Sequence, residues 1–187
     1  MATQVPLAPF INIDFYVTAA YPYYPSGGYH GALDLATGQH GTAPLYSIID
    51  GTVTRKGINT GVSYGNYIEI TRSDGIRVLF AHMVNPTSYN VGDTVLQGQQ
   101  VGLEGNTGNV TGYHVHVEMW DANGNHMNPA DFMGIPNQVS GPYIYDGTPV
   151  PPTPPTPPTG EIKKQKFKWV LYSRKLRTKH ILDKMSR

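Results

Sequence analysis

Cysteine is absent from these 187 residues. Every thiol nucleophile is thereby excluded, as is any zinc cage built wholly or partly from thiolates. The lack of disulfides is compatible with either redox compartment and selects neither. Basic residues are scarce in the first 160 positions: Arg55, Lys56, Arg72 and Arg77 stand against eleven acidic residues, a net charge of −7. No apolar run is long enough to span a bilayer, so no transmembrane segment is expected. Met1-Ala2-Thr3-Gln4 lacks the basic stretch and apolar stretch of a secretory leader. Helical periodicity is missing before residue 160 as well.

Glycine, in contrast, is plentiful at 21 residues, and short Val, Ile and Tyr runs are punctuated by Gly, Asn and Asp. This pattern predicts an all-β domain with tight turns. Expected strands are Leu45–Ile49, Gly51–Lys56, Tyr67–Arg72, Ile76–His82, Thr94–Leu96, Gln100–Glu104 and Tyr113–Trp120, with Asp74-Gly75 as a two-residue hairpin turn. Antiparallel sheets packed to form a groove are the expected architecture. The chain divides into an N-terminal segment (1–20), a main domain (21–147), a Pro/Thr-rich linker (148–160) and a tail (161–187). Proline favours extended polyproline II in the linker, which acts as a semi-rigid spacer. The tail holds ten Lys and Arg against Glu161 and Asp183, net +8, together with Phe167, Trp169 and Tyr172. Such a tail suits an anionic surface or a larger assembly, or it is a solvated extension. Nucleic acid is not expected as a partner of the main domain.

Tyr113-His114-Val115-His116-Val117-Glu118 alternates with period two and reads as a strand. Residues two apart share a face, so His114 and His116 project together while Val115 and Val117 face the core. Upstream, His30 and Asp34 are four apart, on one face of either a strand or a helical turn; Gly27, Gly28 and Gly31 favour a strand or loop edge. Histidine and carboxylate are the nitrogen and oxygen ligands of zinc. Adding one histidine of the His-x-His pair makes a His2Asp set, which leaves a fourth position open as catalytic zinc sites do. A third histidine, His82, ends the expected strand from Ile76. His40 reads as a solvated loop residue, and His126 as a hairpin edge. Thirteen tyrosines are present, and Tyr21, Tyr23, Tyr24, Tyr29 and Tyr113 flank these motifs, either gripping a ligand or serving as sheet residues.

Taken in order, His30-x-x-x-Asp34, Phe80-Ala81-His82-Met83 and Gly112-Tyr113-His114-Val115-His116 resemble the lysostaphin/LytM-type zinc metallopeptidases. Gly41 to Tyr46, Asp50 to Val53, Tyr64 to Ile70, Val91 to Val95, Gly105 to Gly108 and Asn128-Pro129 are similar to intervening parts of that family, so the resemblance runs from about Gly28 to Phe132. It implies a LytM-like duplicated hybrid motif, one zinc ion held by His30, Asp34 and His116, and His82 and His114 as the catalytic pair. It also implies hydrolysis of peptide cross-links in bacterial peptidoglycan: zinc-activated water attacks the scissile carbonyl, one histidine is the general base, and the other stabilises the oxyanion or leaving group. Met83 stands where the family often has leucine, an apolar exchange that leaves the chemistry intact. Substrate-binding residues are not assigned.

Other readings follow from the same residues. A non-catalytic wall-binding or activator module would keep the fold, and a structural phage tail protein is compatible with the peptidase. A carrier module resembling biotinyl or lipoyl domains is excluded at the Asn90–Gly98 hairpin, because no lysine lies between Lys56 and Lys163. A peptidase for wall peptides must act outside the cell or at the wall; delivery in a phage particle, release during phage lysis, or a leader already removed are the routes, and the missing leader with the basic tail favours a phage-associated protein.

Overall fold

A computed structural model describes residues 2–58 and 63–147. Its main sheet has ten strands: β1 (Thr3–Gln4), β2 (Phe15–Ala19), β3 (Ala32–Ala36), β5 (Gly51–Gly57), β6 (Asn66–Thr71), β7 (Arg77–Met83), β8 (Thr94–Val95), β10 (Val115–Trp120), β11 (His126–Met127) and β12 (Ser140–Ile144). The order across it is β1-β12-β2-β3-β10-β7-β6-β5-β8, with β11 on the free part of β10. All pairs are antiparallel except β1 with β12. Strands β4 (Pro44–Tyr46) and β9 (Gln100–Leu103) form a separate two-stranded ladder. The fold is thus the expected all-β architecture. Linker 148–160 and tail 161–187 lie outside the described residues.

Period-two patterning explains which face each strand buries. In β10, Val115, Val117 and Met119 are fully buried, and they join Leu33 and Leu35 of β3 and Val78 and Phe80 of β7 in the core. Leu45 of β4 and Val101 of β9 belong to the same cluster, so the small ladder covers one face of the large sheet. The opposite face carries the alternate residues Asp34, His116 and Glu118. Residues 1–20, read from sequence as a separate segment, supply β1, β2 and the core side chains Val5, Phe10, Phe15 and Val17. The signal there was modest: Phe15, Val17 and Ala19 alternate with exposed Tyr16 and Thr18.

Two local features complete the frame. A hairpin turn forms at the expected place but with three loop residues, Ser73-Asp74-Gly75, not two: the Arg72 amide donates to Ile76 O, the Gly75 amide donates to Arg72 O, and Gly75 takes φ 88°, which costs glycine no Cβ clash. A short helix α1 (Pro129–Met133) appears where no periodicity announced one. Its ends explain it: the Asn128 side chain accepts from the Ala130 amide, Pro129 occupies the first turn, and Gly134 closes it in the left-handed region.

Candidate metal centre

Asp34 and His116 are direct partners in the β3–β10 ladder, with side chains on the open face. His30 precedes β3 and is tied down by its own amide, which donates to Pro22 O at 2.7 Å. His116 Nδ1 lies 2.9 Å from Asp34 Oδ1; His30 Nε2 lies 3.1 Å from the same oxygen and 3.1 Å from His116 Nδ1. All three residues are buried. A tetrahedral zinc with bonds of about 2.0–2.1 Å separates its ligand atoms by roughly 3.3 Å, so this triangle needs only a small expansion to hold one.

The second nitrogen of each ring supports the same fit. His116 Nε2 faces Glu118 Oε1 at 3.0 Å, and His30 Nδ1 faces Ala20 O at 3.5 Å. Each acceptor draws the neutral imidazole's N–H to that side and leaves the other nitrogen's lone pair aimed at the shared point. Burial alone would raise the Asp34 carboxyl, but hydrogen bonds from His116 and His30 outweigh it and hold it well below the carboxylate range. It is therefore an anionic oxygen donor at any physiological pH. The donor set therefore fits a zinc ion.

His82 reaches this face by a backbone irregularity. Between the pairs Asn66–Met83 and Ile68–Phe80, β7 carries Ala81 and His82 opposite Tyr67 alone. That is a β-bulge, and His82 sits in it at φ 62°, a region rarely used by non-glycine residues. Strict alternation would place His82 with Phe80 in the core; the extra residue gives that place to Met83 and turns His82 to the cleft. Gly105 packs against the His82–Val84 backbone, where a Cβ would collide with main-chain atoms.

His82 Nδ1 donates to Thr107 O at 2.8 Å, and His114 Nδ1 donates to Gly112 O at 2.9 Å. Carbonyls only accept, so both rings keep Nε2 free as a base when neutral. Their centroids are 4.9 Å apart. Burial pushes the His82 imidazole down to about 4, with the neighbouring His114 adding to the effect. His82 is thus neutral at pH 7. The fold brings all five residues singled out in the sequence, His30, Asp34, His82, His114 and His116, to one cleft of about 700 Å³.

Two further cleft residues, Glu118 and Tyr64, have no role in the sequence reading. Glu118 is 6% exposed and also receives the Tyr64 hydroxyl at 2.7 Å. Burial favours its neutral form, but the bonds from His116 and Tyr64 prevail and keep its carboxyl low. Glu118 was legible in principle, two positions beyond His116 on the same face; Tyr64 was not, being 54 residues away. Tyr24 lays its ring 4.0 Å from that of His30. His40 is exposed and stacks on Tyr113 at 5.5 Å, while exposed His126 contacts Tyr29 and Trp120 outside the cleft lining. Residues 61–65 read Gly-Val-Ser-Tyr-Gly, the pattern of a hydrolase nucleophile elbow, and Ser63 lines the cleft. An elbow joins a strand to a helix; here the segment leads into strand β6, so the pattern has the wrong context.

Comparison with known proteins bears on this arrangement. The chain is 38% identical over 100 residues to the DD-carboxypeptidase/endopeptidase Mpg of Neisseria meningitidis serogroup B, covering 54% of this chain and 22% of Mpg. It is 36% identical over 86 residues to the peptidoglycan DD-endopeptidase ShyC of Vibrio cholerae serotype O1, covering 46% of this chain and 19% of ShyC. Matched segments therefore span about a fifth of those curated relatives. Among solved structures, the catalytic domain of the prophage-encoded M23 protein EnpA from Enterococcus faecalis superposes with a TM-score of 0.56 at 31% identity, covering 66% of this chain and 95% of that one. Residues 28–129, more than half of the chain, match Peptidase family M23, and the chain belongs to that family.

Proposed function

We propose that this protein is a zinc-dependent endopeptidase that hydrolyses peptide cross-links of bacterial peptidoglycan. The observation that carries the reading is the convergence of His30 Nε2, Asp34 Oδ1 and His116 Nδ1 beside two histidines with free Nε2 atoms. Zinc at that point supplies a Lewis acid and lowers the pKa of an adjacent water to roughly 7. His30, Asp34 and His116 are its ligands in this reading. His82 and His114 divide the proton work: one accepts a proton at Nε2 from the attacking water, and the other donates at Nε2 to the tetrahedral oxygen or the leaving amine. In this reading the scissile bond enters the cleft lined by these residues together with Tyr24, Ser63 and Asn109.

The names of Mpg and ShyC favour a bond between D-amino acids as the one cut. The likeness to prophage-encoded EnpA favours local wall degradation during phage infection or lysis, at the cell wall or on a virion. The basic tail at 161–187 is read as the anchor to an anionic surface or to a phage assembly.

The test is digestion of purified sacculi with and without a chelator, beside a His116→Ala control. Release of new free amino groups that both chelator and substitution abolish supports the reading, and fragment masses name the bond. One bound metal per chain with no wall type cut would reject the endopeptidase assignment.

A further inference from the structure

We infer that Glu118, steadied by Tyr64, is the positioning residue that orients His116 for the metal through its far ring nitrogen. This rests on the metal reading above. His116 has one nitrogen, Nδ1, in the ligand triangle and the other, Nε2, 3.0 Å from Glu118 Oε1. The Tyr64 hydroxyl donates to that same oxygen at 2.7 Å. The acceptor is thus held from a second side by a residue at the head of β6, while Glu118 and His116 share the open face of β10.

Three consequences follow from this geometry. A carboxylate on Nε2–H fixes the tautomer, so the lone pair stays on Nδ1. It stops rotation of the ring about its Cβ–Cγ bond, which would carry Nδ1 out of the triangle. It also returns electron density to the imidazole and strengthens it as a ligand. His30 has only a backbone carbonyl in this role, at the longer distance of 3.5 Å. Outer partners of this kind are worth about 10–100-fold in metal affinity. Glu118 therefore makes His116 the better-ordered histidine of the pair. Glu118 is 6% exposed, and its bonds from His116 and Tyr64 account for a buried carboxylate in a cleft whose lining holds no lysine or arginine.

The experiment measures zinc affinity of the full chain by competition with a chromophoric chelator, for wild type, Glu118→Gln, Glu118→Ala and Tyr64→Phe. Glu118→Gln keeps a carbonyl acceptor without the charge, so it should stay within severalfold of wild type. Glu118→Ala should lose about 10–100-fold, and Tyr64→Phe a smaller factor. Proton NMR of the zinc-loaded protein supplies a readout that a merely structural role leaves alone: a slowly exchanging, downfield His116 Nε2–H in wild type and Glu118→Gln, missing in Glu118→Ala. Wild-type affinity in a folded Glu118→Ala, or an unchanged Nε2–H resonance, overturns the inference while the metal site stands. Failure of wild type to bind zinc overturns both. Should Glu118→Ala not fold, Glu118→Gln and Tyr64→Phe still decide: equal affinity and an unshifted Nε2–H in Tyr64→Phe reject the assignment.

Discussion

Asp34 and His116, 82 residues apart in the chain, are opposite members of one antiparallel ladder, and Asp34 Oδ1 meets His116 Nδ1 at 2.9 Å. Cross-strand neighbours on the same face lie about 4.5–5.5 Å apart at Cβ, so the pairing register alone brings two of the three proposed ligands within reach. In the proposed site, replacing Asp34 with alanine removes an anionic ligand, not an outer partner. Zinc affinity should fall by more than the roughly 10–100-fold typical of outer partners. Isothermal titration of the purified variant checks this, and wild-type affinity would remove Asp34 from the ligand set.

Among the described residues neither His82 nor His114 hydrogen-bonds to His30, Asp34 or His116; their Nδ1 atoms serve Thr107 O and Gly112 O, and His114 Nε2 lies 3.8 Å from Asp34 Oδ2. Alanine at either position should therefore leave one zinc per chain while turnover falls about 10²–10⁴-fold, the usual contribution of a positioned acid or base. Metal analysis and a wall-digestion rate on the same preparation separate the two roles. Loss of zinc in either variant would move that residue into the ligand set.

Acid should weaken metal binding in a definite direction. Burial disfavours a charged His116, yet hydrogen bonds to Asp34 and Glu118 outweigh burial and push it up to about 9 in the metal-free protein. A proton on Nδ1 occupies the position zinc needs, so binding at pH 7 must release it. Affinity should rise as pH goes from 6 towards 9, by about tenfold per unit while this one proton is displaced. Titration calorimetry in buffers of different ionisation enthalpy measures the released proton directly. A pH-independent affinity over that range would contradict the assignment of Nδ1.

Gly105 tests the bulge that presents His82. Its missing side chain lets the 105–107 segment lie on the His82–Val84 main chain, and every nearest neighbour of an added Cβ is a backbone atom. Backbone cannot yield as a side-chain tip does, so Gly105→Ala should cost about 1–3 kcal/mol, the scale of overpacking. The melting temperature reads that cost, and the distortion should slow wall digestion through His82. An unchanged melting temperature would show that the strap relaxes without strain.

Much of this protein is written in local pattern. Val115, Val117 and Met119 alternating with His116 and Glu118 specify both the strand and its two faces, because side-chain direction in a strand repeats every two residues. The same alternation was present, less marked, in Phe15, Val17 and Ala19, whose strand β2 lies within the segment set apart as N-terminal. Helix α1 was too short for periodicity and is legible only through Asn128, Pro129 and Gly134 at its ends.

Sequence by itself determined the residue types of the site, the absence of thiol chemistry, the all-β pattern and the pairing of His114 with His116 near one strand. Tertiary structure decided which atoms meet. The β3–β10 register sets Asp34 against His116, the bulge at His82 reverses the side that alternation would assign it, and Tyr64 reaches Glu118 across 54 residues. Alternation is a property of neighbours in the chain. Register and bulges are settled by long-range pairing and by the packing of Phe80 and Met83 in the core, which no local window contains.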